Sequence, residues 1–253
     1  MYGCKTEKYK SLVQEVKSSY ELYSEKSNDN KKLLYWCEEC DEINLWTYWQ
    51  GRGNLDAKIL LVGQDWGNPW NTNSQNFMSK IKSISPGPML DYMHGNDNPT
   101  DLNLVTLFKE LDIDISIPSK KVFFTNFVLG YRNYNISGGF KKSWARKDEK
   151  YFKKLVNIIE PEIILCLGRA TFESVMHAFQ DGARINIGKY NSFIESESNP
   201  VKKHLKSGHE MSIFALAHCG VIGTMNRNRG QTVGTDKLEL QKKDWRRIKP
   251  FLK

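Results

Sequence analysis

Four short runs of the chain are almost wholly apolar: 58–63 (KILLVG), 122–129 (VFFTNFVL), 162–168 (EIILCLG) and 211–217 (MSIFALA). Runs of this length without polar alternation predict strands buried on both faces, the pattern of a parallel sheet between two layers of helices. Helix-compatible stretches separate them. Residues 101–111, 148–159 and 170–179 carry apolar positions at helical spacing, Pro161 and Gly168 punctuate the third strand, and 236–249 predicts a terminal helix stopped by Pro250. Residues 5–35 mix apolar and charged positions (Leu12, Val13, Val16, Tyr20, Tyr23) and break at Ser27-Asn28-Asp29-Asn30, which predicts one or two N-terminal helices. Residues 67–100 are rich in Asn, Pro, Gly and Ser, so a long structured loop with short helical pieces is expected there. The expected fold is α/β: an open, mainly parallel four-stranded sheet with helices on both faces, plus an N-terminal helical and aromatic extension over 1–50. With no internal repeat and no linker, 1–253 reads as one domain with its core over 58–230.

Composition narrows the class. At 253 residues, 40% hydrophobic, 26% charged and 12% aromatic, the chain has enough apolar material for a real core and is neither disordered nor a disulfide scaffold. No apolar run reaches the 18 or more residues of a spanning helix, and the charged start lacks a signal-peptide core, so no membrane association and a cytoplasmic location are expected. Five scattered cysteines fit a reducing compartment. A net charge of +8 points toward a polyanionic partner, and its distribution sharpens this: from His218 to Lys253 nine Lys and Arg face three acids.

In an open parallel sheet, ligands bind beyond the carboxyl ends of the strands. The first strand runs into Gly63-Gln64-Asp65-Trp66-Gly67, the second carries Asn126, the third leads into Gly168-Arg169, and the fourth ends at His218-Cys219-Gly220. A carboxylate, an amide and an imidazole are thus expected on one edge. ILLVGQDWG resembles the GQDPY motif of uracil-DNA glycosylases, VFFTNFVLGYR their apolar strand with a base-reading Asn, PEIILCLGRATFE their third-strand pattern, and ALAHCG stands where they have HPS. The four motifs follow the superfamily's order across about 58–230. Trp66 and Gly67 replace its Pro and its thymine-excluding Tyr, and Cys219-Gly220 replaces Pro-Ser, so the resemblance puts the substrate base in doubt.

The resemblance implies a monofunctional DNA glycosylase, a monomer acting on DNA without metal or cofactor. Breaking a base–deoxyribose bond develops positive charge on the sugar and negative charge on the departing pyrimidine. Asp65 would stabilise the sugar cation and orient a water, and His218 would donate to the pyrimidine O2. Asn126 offers a carbonyl to uracil N3–H and an NH₂ to O4. Gln64, Trp66, Gly67 and Phe77 complete the base pocket, and the missing side chain at Gly67 leaves room for a C5 substituent. A base must be flipped out of a duplex at a cost of a few kcal/mol. The stretch 221–230 matches the superfamily's intercalation loop in position, with Ile222 and Met225 as wedges and Arg227 and Arg229 for phosphates.

Plainer readings stand beside these. Asp65 could instead cap a helix after the first strand, although Gly63 and Gly67 favour a ligand-facing loop, Asn126 would serve as a satisfied core amide, His218 as a structural histidine and Phe77 as an ordinary aromatic. Trp36, Trp46, Tyr48 and Trp49 read as packing for the N-terminal segment, and the basic terminal helix reads equally as a solvated face. Cys37 and Cys40 have the spacing of half a zinc site, but no second pair completes it, and no iron–sulfur cluster is expected. Competing functions are a glycosylase for modified bases of foreign DNA, a non-catalytic nucleic-acid-binding relative, and a small-nucleotide-binding protein. No G-x-G-x-x-G or P-loop supports the last.

Overall fold

The computed structural model describes residues 4–22, 34–36, 41–45, 54–66, 99–117, 120–132, 141–180, 187–232 and 234–252. All four apolar runs are strands: β2 (Ile59–Gly63), β3 (Val122–Asn126), β5 (Ile163–Leu167) and β7 (Glu210–Leu216). They lie parallel in the order β3-β2-β5-β7, and every position but Glu210 is buried. Side chains alternate strictly between two cores. Leu60, Val62, Phe123, Ile164, Cys166, Ile213 and Ala215 enter one, while Ile59, Leu61, Val122, Phe124, Leu165, Phe214 and Leu216 enter the other.

The sheet has five strands where four were expected. The fifth, β6 (Val201–His204), pairs antiparallel on the free edge of β7. It escaped the apolar pattern because it is an edge: Lys202 and His204 are exposed, and both approach Glu210 across the hairpin. Charged edges of this kind resist strand addition by other chains. A separate two-stranded sheet joins β1 (Leu34–Tyr35) to β4 (Tyr131–Arg132), with Leu34 opposite Arg132 and Tyr35 opposite Tyr131.

Helices cover both faces. α1 (Lys5–Ser19), α3 (Lys142–Ile159), α4 (Arg169–Ala178) and α5 (Tyr190–Glu195) pack on the first core, and α2 (Pro99–Lys109) and α7 (Glu239–Arg246) on the second, where Phe108 meets Trp245 edge-on at 4.9 Å. α6 (Val221–Asn228) follows β7. α3 buries Trp144, Asp148, Tyr151, Phe152, Leu155, Val156 and Ile159, a stripe at helical spacing, and ends where Glu160 turns left-handed (φ 53°) ahead of Pro161. α1 contributes Tyr9, Leu12, Val13, Val16 and, just past its end, Tyr20 to the same core as the sheet, so the N-terminal helix is built into the main packing. The predicted terminal helix is shorter than 236–249: α7 ends at Arg246 and a 3₁₀ turn follows over Lys249–Phe251. Among the described residues no helix is long and apolar enough to cross a membrane.

Candidate active site

Asp65 follows β2, Asn126 closes the adjacent β3, and His218 follows β7 on the far side of β5, all at the carboxyl end of the parallel strands, where the Asp65 charge is felt by His218. Hydrogen bonding carries the β2–β3 pairing past the strand ends: Phe127 N–H donates to Gly63 O at 3.0 Å and Val128 N–H to Gln64 O at 3.1 Å. These bonds fix the backbone just before Asp65. Gly63 lies opposite Asn126, and a Cβ at residue 63 would run into Asn126 Oδ1, so glycine there makes room for the amide. Asn126 is 3% exposed, and among the described residues its side-chain amide has no hydrogen-bond partner. The amide atoms are not among the fully buried unpartnered ones, so they keep access to the solvent at the sheet's carboxyl end.

His218 sits two residues beyond β7 in a turn clamped from two sides. Asn103 Nδ2 of α2 donates to Cys219 O at 2.7 Å, and Gln241 Nε2 of α7 donates to His218 O at 3.3 Å. A Cβ at Gly223 would collide with the His218 backbone, so α6 approaches this closely only through glycine. The Gly220 N–H donates to His218 Nδ1 at 3.0 Å. A backbone N–H cannot accept, so Nδ1 is the acceptor and the neutral ring carries its proton on Nε2. Burial lowers the His218 pKa and outweighs the opposing pull of Asp65, which favours that neutral form.

Two residues in the site escaped the sequence reading. Arg132 grips Asp65 with a fork, Nε to Oδ1 at 3.0 Å and Nη2 to Oδ2 at 2.7 Å, with the two side chains only 9% and 5% exposed. The letters GYR after the second strand held it in view, but nothing in spacing links positions 67 residues apart. Asp101, in the first turn of α2, looked like an ordinary helix-start acid. It is 7% exposed, no hydrogen bond reaches its carboxyl among the described residues, and burial pushes its pKa up to about 7. Its neighbour Thr100 closes on the Gly220 turn, and its charge joins burial in pushing the Cys219 thiol up.

The remaining expected residues divide. Gln64 contributes through its backbone. Trp66 stacks on Tyr131 at 4.9 Å and 29°, so one ring face is spent on packing. Gly67 and Phe77 lie outside the described residues, as do Cys37, Cys40, Trp46, Tyr48 and Trp49. Val221, Ile222 and Met225 project from α6, exposed by 55%, 74% and 67%, and Arg229 is exposed at its end. Arg227 is a correction. It is buried, its Nε and Nη2 donating to Asp244 at 2.7 and 2.8 Å and Nη2 also to Glu195 at 2.7 Å, so it ties α6 to α7 and α5 and is withdrawn from any phosphate. Among the described residues no group of three or more His, Cys, Asp or Glu side chains is placed to hold a metal. No model of a known protein family matches the chain, and no curated protein matches it.

Proposed function

We propose that the protein is a DNA glycosylase of the uracil-DNA glycosylase superfamily, acting on uracil or a related modified pyrimidine. The observation that carries this reading is the placement of Asp65, Asn126 and His218 at the carboxyl end of one parallel sheet, with Nε2 as the proton-bearing nitrogen of the imidazole. An extruded pyrimidine would meet the Asn126 amide on its pairing edge and the His218 Nε2–H at O2. The C1′–N1 bond breaks with its electron pair passing to the base, whose growing charge His218 stabilises by a hydrogen bond. A water held by Asp65 adds its oxygen to C1′ and loses a proton, which balances the charge of the departing base anion, leaving neutral free base and an abasic sugar. The exposed apolar side chains of Val221, Ile222 and Met225, just after the His218 turn, would fill the gap left by the flipped nucleotide.

One observation favours a second reading. Arg132 offsets the Asp65 charge that the chemistry needs, as would suit a relative that binds DNA without cutting it. Oligonucleotides bearing uracil, thymine mismatches or hydroxymethylated bases, incubated with the protein and then treated with alkali, separate the two. Strand breaks on any substrate support the glycosylase; binding without breaks supports the non-catalytic relative.

A further inference from the structure

Asp65 does not stand alone on its loop. The two consecutive residues Asp65 and Trp66 are met by the two consecutive residues Arg132 and Tyr131, the first pair by a bidentate ion pair and the second by ring stacking. Arg132 is itself held from several directions. Its backbone is in β4 opposite Leu34 of β1, and its guanidinium lies over the Trp144 ring of α3, 5.3 Å from the centroid. The chain just before it is anchored by Asp148 of α3, whose Oδ2 accepts from Leu129 N–H at 2.7 Å and from the Tyr20 hydroxyl at 2.5 Å. Gly130 allows this, since a Cβ there would strike the Tyr20 ring. Segments far apart in sequence therefore build one frame around a single guanidinium.

A guanidinium fork fixes the plane of the carboxylate it binds, which a lysine ammonium does not. Each carboxylate oxygen has two lone pairs, so a bidentate pair does not exhaust its capacity to accept from a water. From this geometry we infer that Arg132 is the positioning residue for Asp65: it sets the carboxylate plane toward the scissile bond. The N-terminal segment takes part through the β1–β4 pairing. This inference rests on the glycosylase reading. It turns the apparent conflict of a neutralised catalytic carboxylate into an ordered one.

The test is cleavage kinetics on the best substrate from the oligonucleotide panel, for wild type, Arg132→Met, Arg132→Lys, Asp65→Asn and the Asp65→Asn/Arg132→Met double variant. Removing the fork should lower kcat by about tenfold or more with KM within about twofold, because the carboxylate loses its fixed plane while substrate contacts are kept. Arg132→Lys should restore only part of kcat, because an ammonium pairs with the carboxylate without fixing its plane. The double variant should be no slower than Asp65→Asn, since Arg132 acts through Asp65. Arg132→Met removes the bidentate partner of a buried carboxylate; if it fails to fold, the Lys variant and the double variant, in which that carboxylate is gone as well, carry the test. Losses that multiply in the double variant, or a loss confined to KM, overturn the inference and make Arg132 a DNA contact. Wild-type kinetics in the Arg132 variants overturn it as well. Absence of cleavage by wild type, or wild-type rates in Asp65→Asn, defeats the glycosylase reading and the role of Arg132 with it. That outcome differs from an enzyme that needs Asp65 and ignores Arg132.

Discussion

At the scale of single residues, the positions that sequence reasoning reached are those whose place follows from a strand end. Asp65, Asn126 and His218 each follow or close an apolar run, and the topology of a parallel sheet brings such ends together. Arg132 and Asp101 were not legible, because their roles come from partners and burial that only the folded chain supplies. If the protein is a glycosylase, Asp65→Asn should lower turnover by at least about a hundredfold while DNA affinity stays within a few fold, since it would remove charge beside the developing sugar cation but no phosphate contact. Equal losses in turnover and binding would make Asp65 structural. Asp101 makes a prediction that does not depend on any activity. The folded protein holds its proton up to about pH 7, whereas the unfolded chain releases it near the ordinary 3.8. Its contribution to stability is therefore complete below about pH 4 and lost as pH rises through 7. Asp148, raised to about 6 by burial, acts in the same direction. In urea titrations at pH 5 and pH 8, Asp101→Asn should lack a decline that wild type shows, on the order of 2 kcal/mol. Identical pH dependence in the two proteins would mean that Asp101 gains a partner on ionising.

At the scale of elements, legibility followed burial. β2, β3, β5 and β7 announced themselves because strands covered on both faces must be apolar throughout. β6 carries the alternation of an exposed edge over only four residues, and β1 and β4, at two residues each, are too short to leave a pattern. α3 begins six residues before the predicted 148, because its first turns mix buried Trp144 and Ala145 with exposed lysines. The error at Arg227 has the same root: a basic residue beside a candidate DNA loop reads as a phosphate contact until Asp244 is seen behind it. Arg227→Ala should cost about 3–5 kcal/mol in urea unfolding, because Asp244 is left charged in a buried place where burial already raises its pKa. Replacing both partners with apolar residues should recover much of that loss; a cost below about 1 kcal/mol for Arg227→Ala would show the pair to be solvent-screened. On the neighbouring face of the same helix, Ile222→Ala/Met225→Ala should leave stability nearly unchanged, since both side chains are exposed, and, on the glycosylase reading, should slow cleavage of duplex substrate more than of single-stranded substrate. Equal slowing on both would remove the wedge.

At the scale of the whole molecule, net charge overstates what is offered to a polyanion. The C-terminal end has nine basic residues, yet Arg227 is buried, Lys242 pairs with Asp236, Arg246 with Glu110 and Glu239, and Lys249 with Asp112, while Arg247 donates to the carbonyls of Ile194 and Ser196. Composition counts charges; only the fold shows which are already answered. Arg229, Lys237 and Lys243 are exposed and stand outside these pairs. If this end lies along DNA, these three supply the phosphate contacts, and each contact releases counterions worth a slope of about 0.9 in log affinity against log salt. Replacing all three by Ala should therefore shallow the slope by about 2–3 and weaken binding to a similar degree across sequences, because phosphate contacts carry no base information. Lys242→Ala should change the slope less, since its charge is engaged by Asp236 before DNA arrives. An unchanged slope in the triple variant, with affinity retained, would place the DNA on another face and leave the C-terminal helix as a solvated cover for the second core.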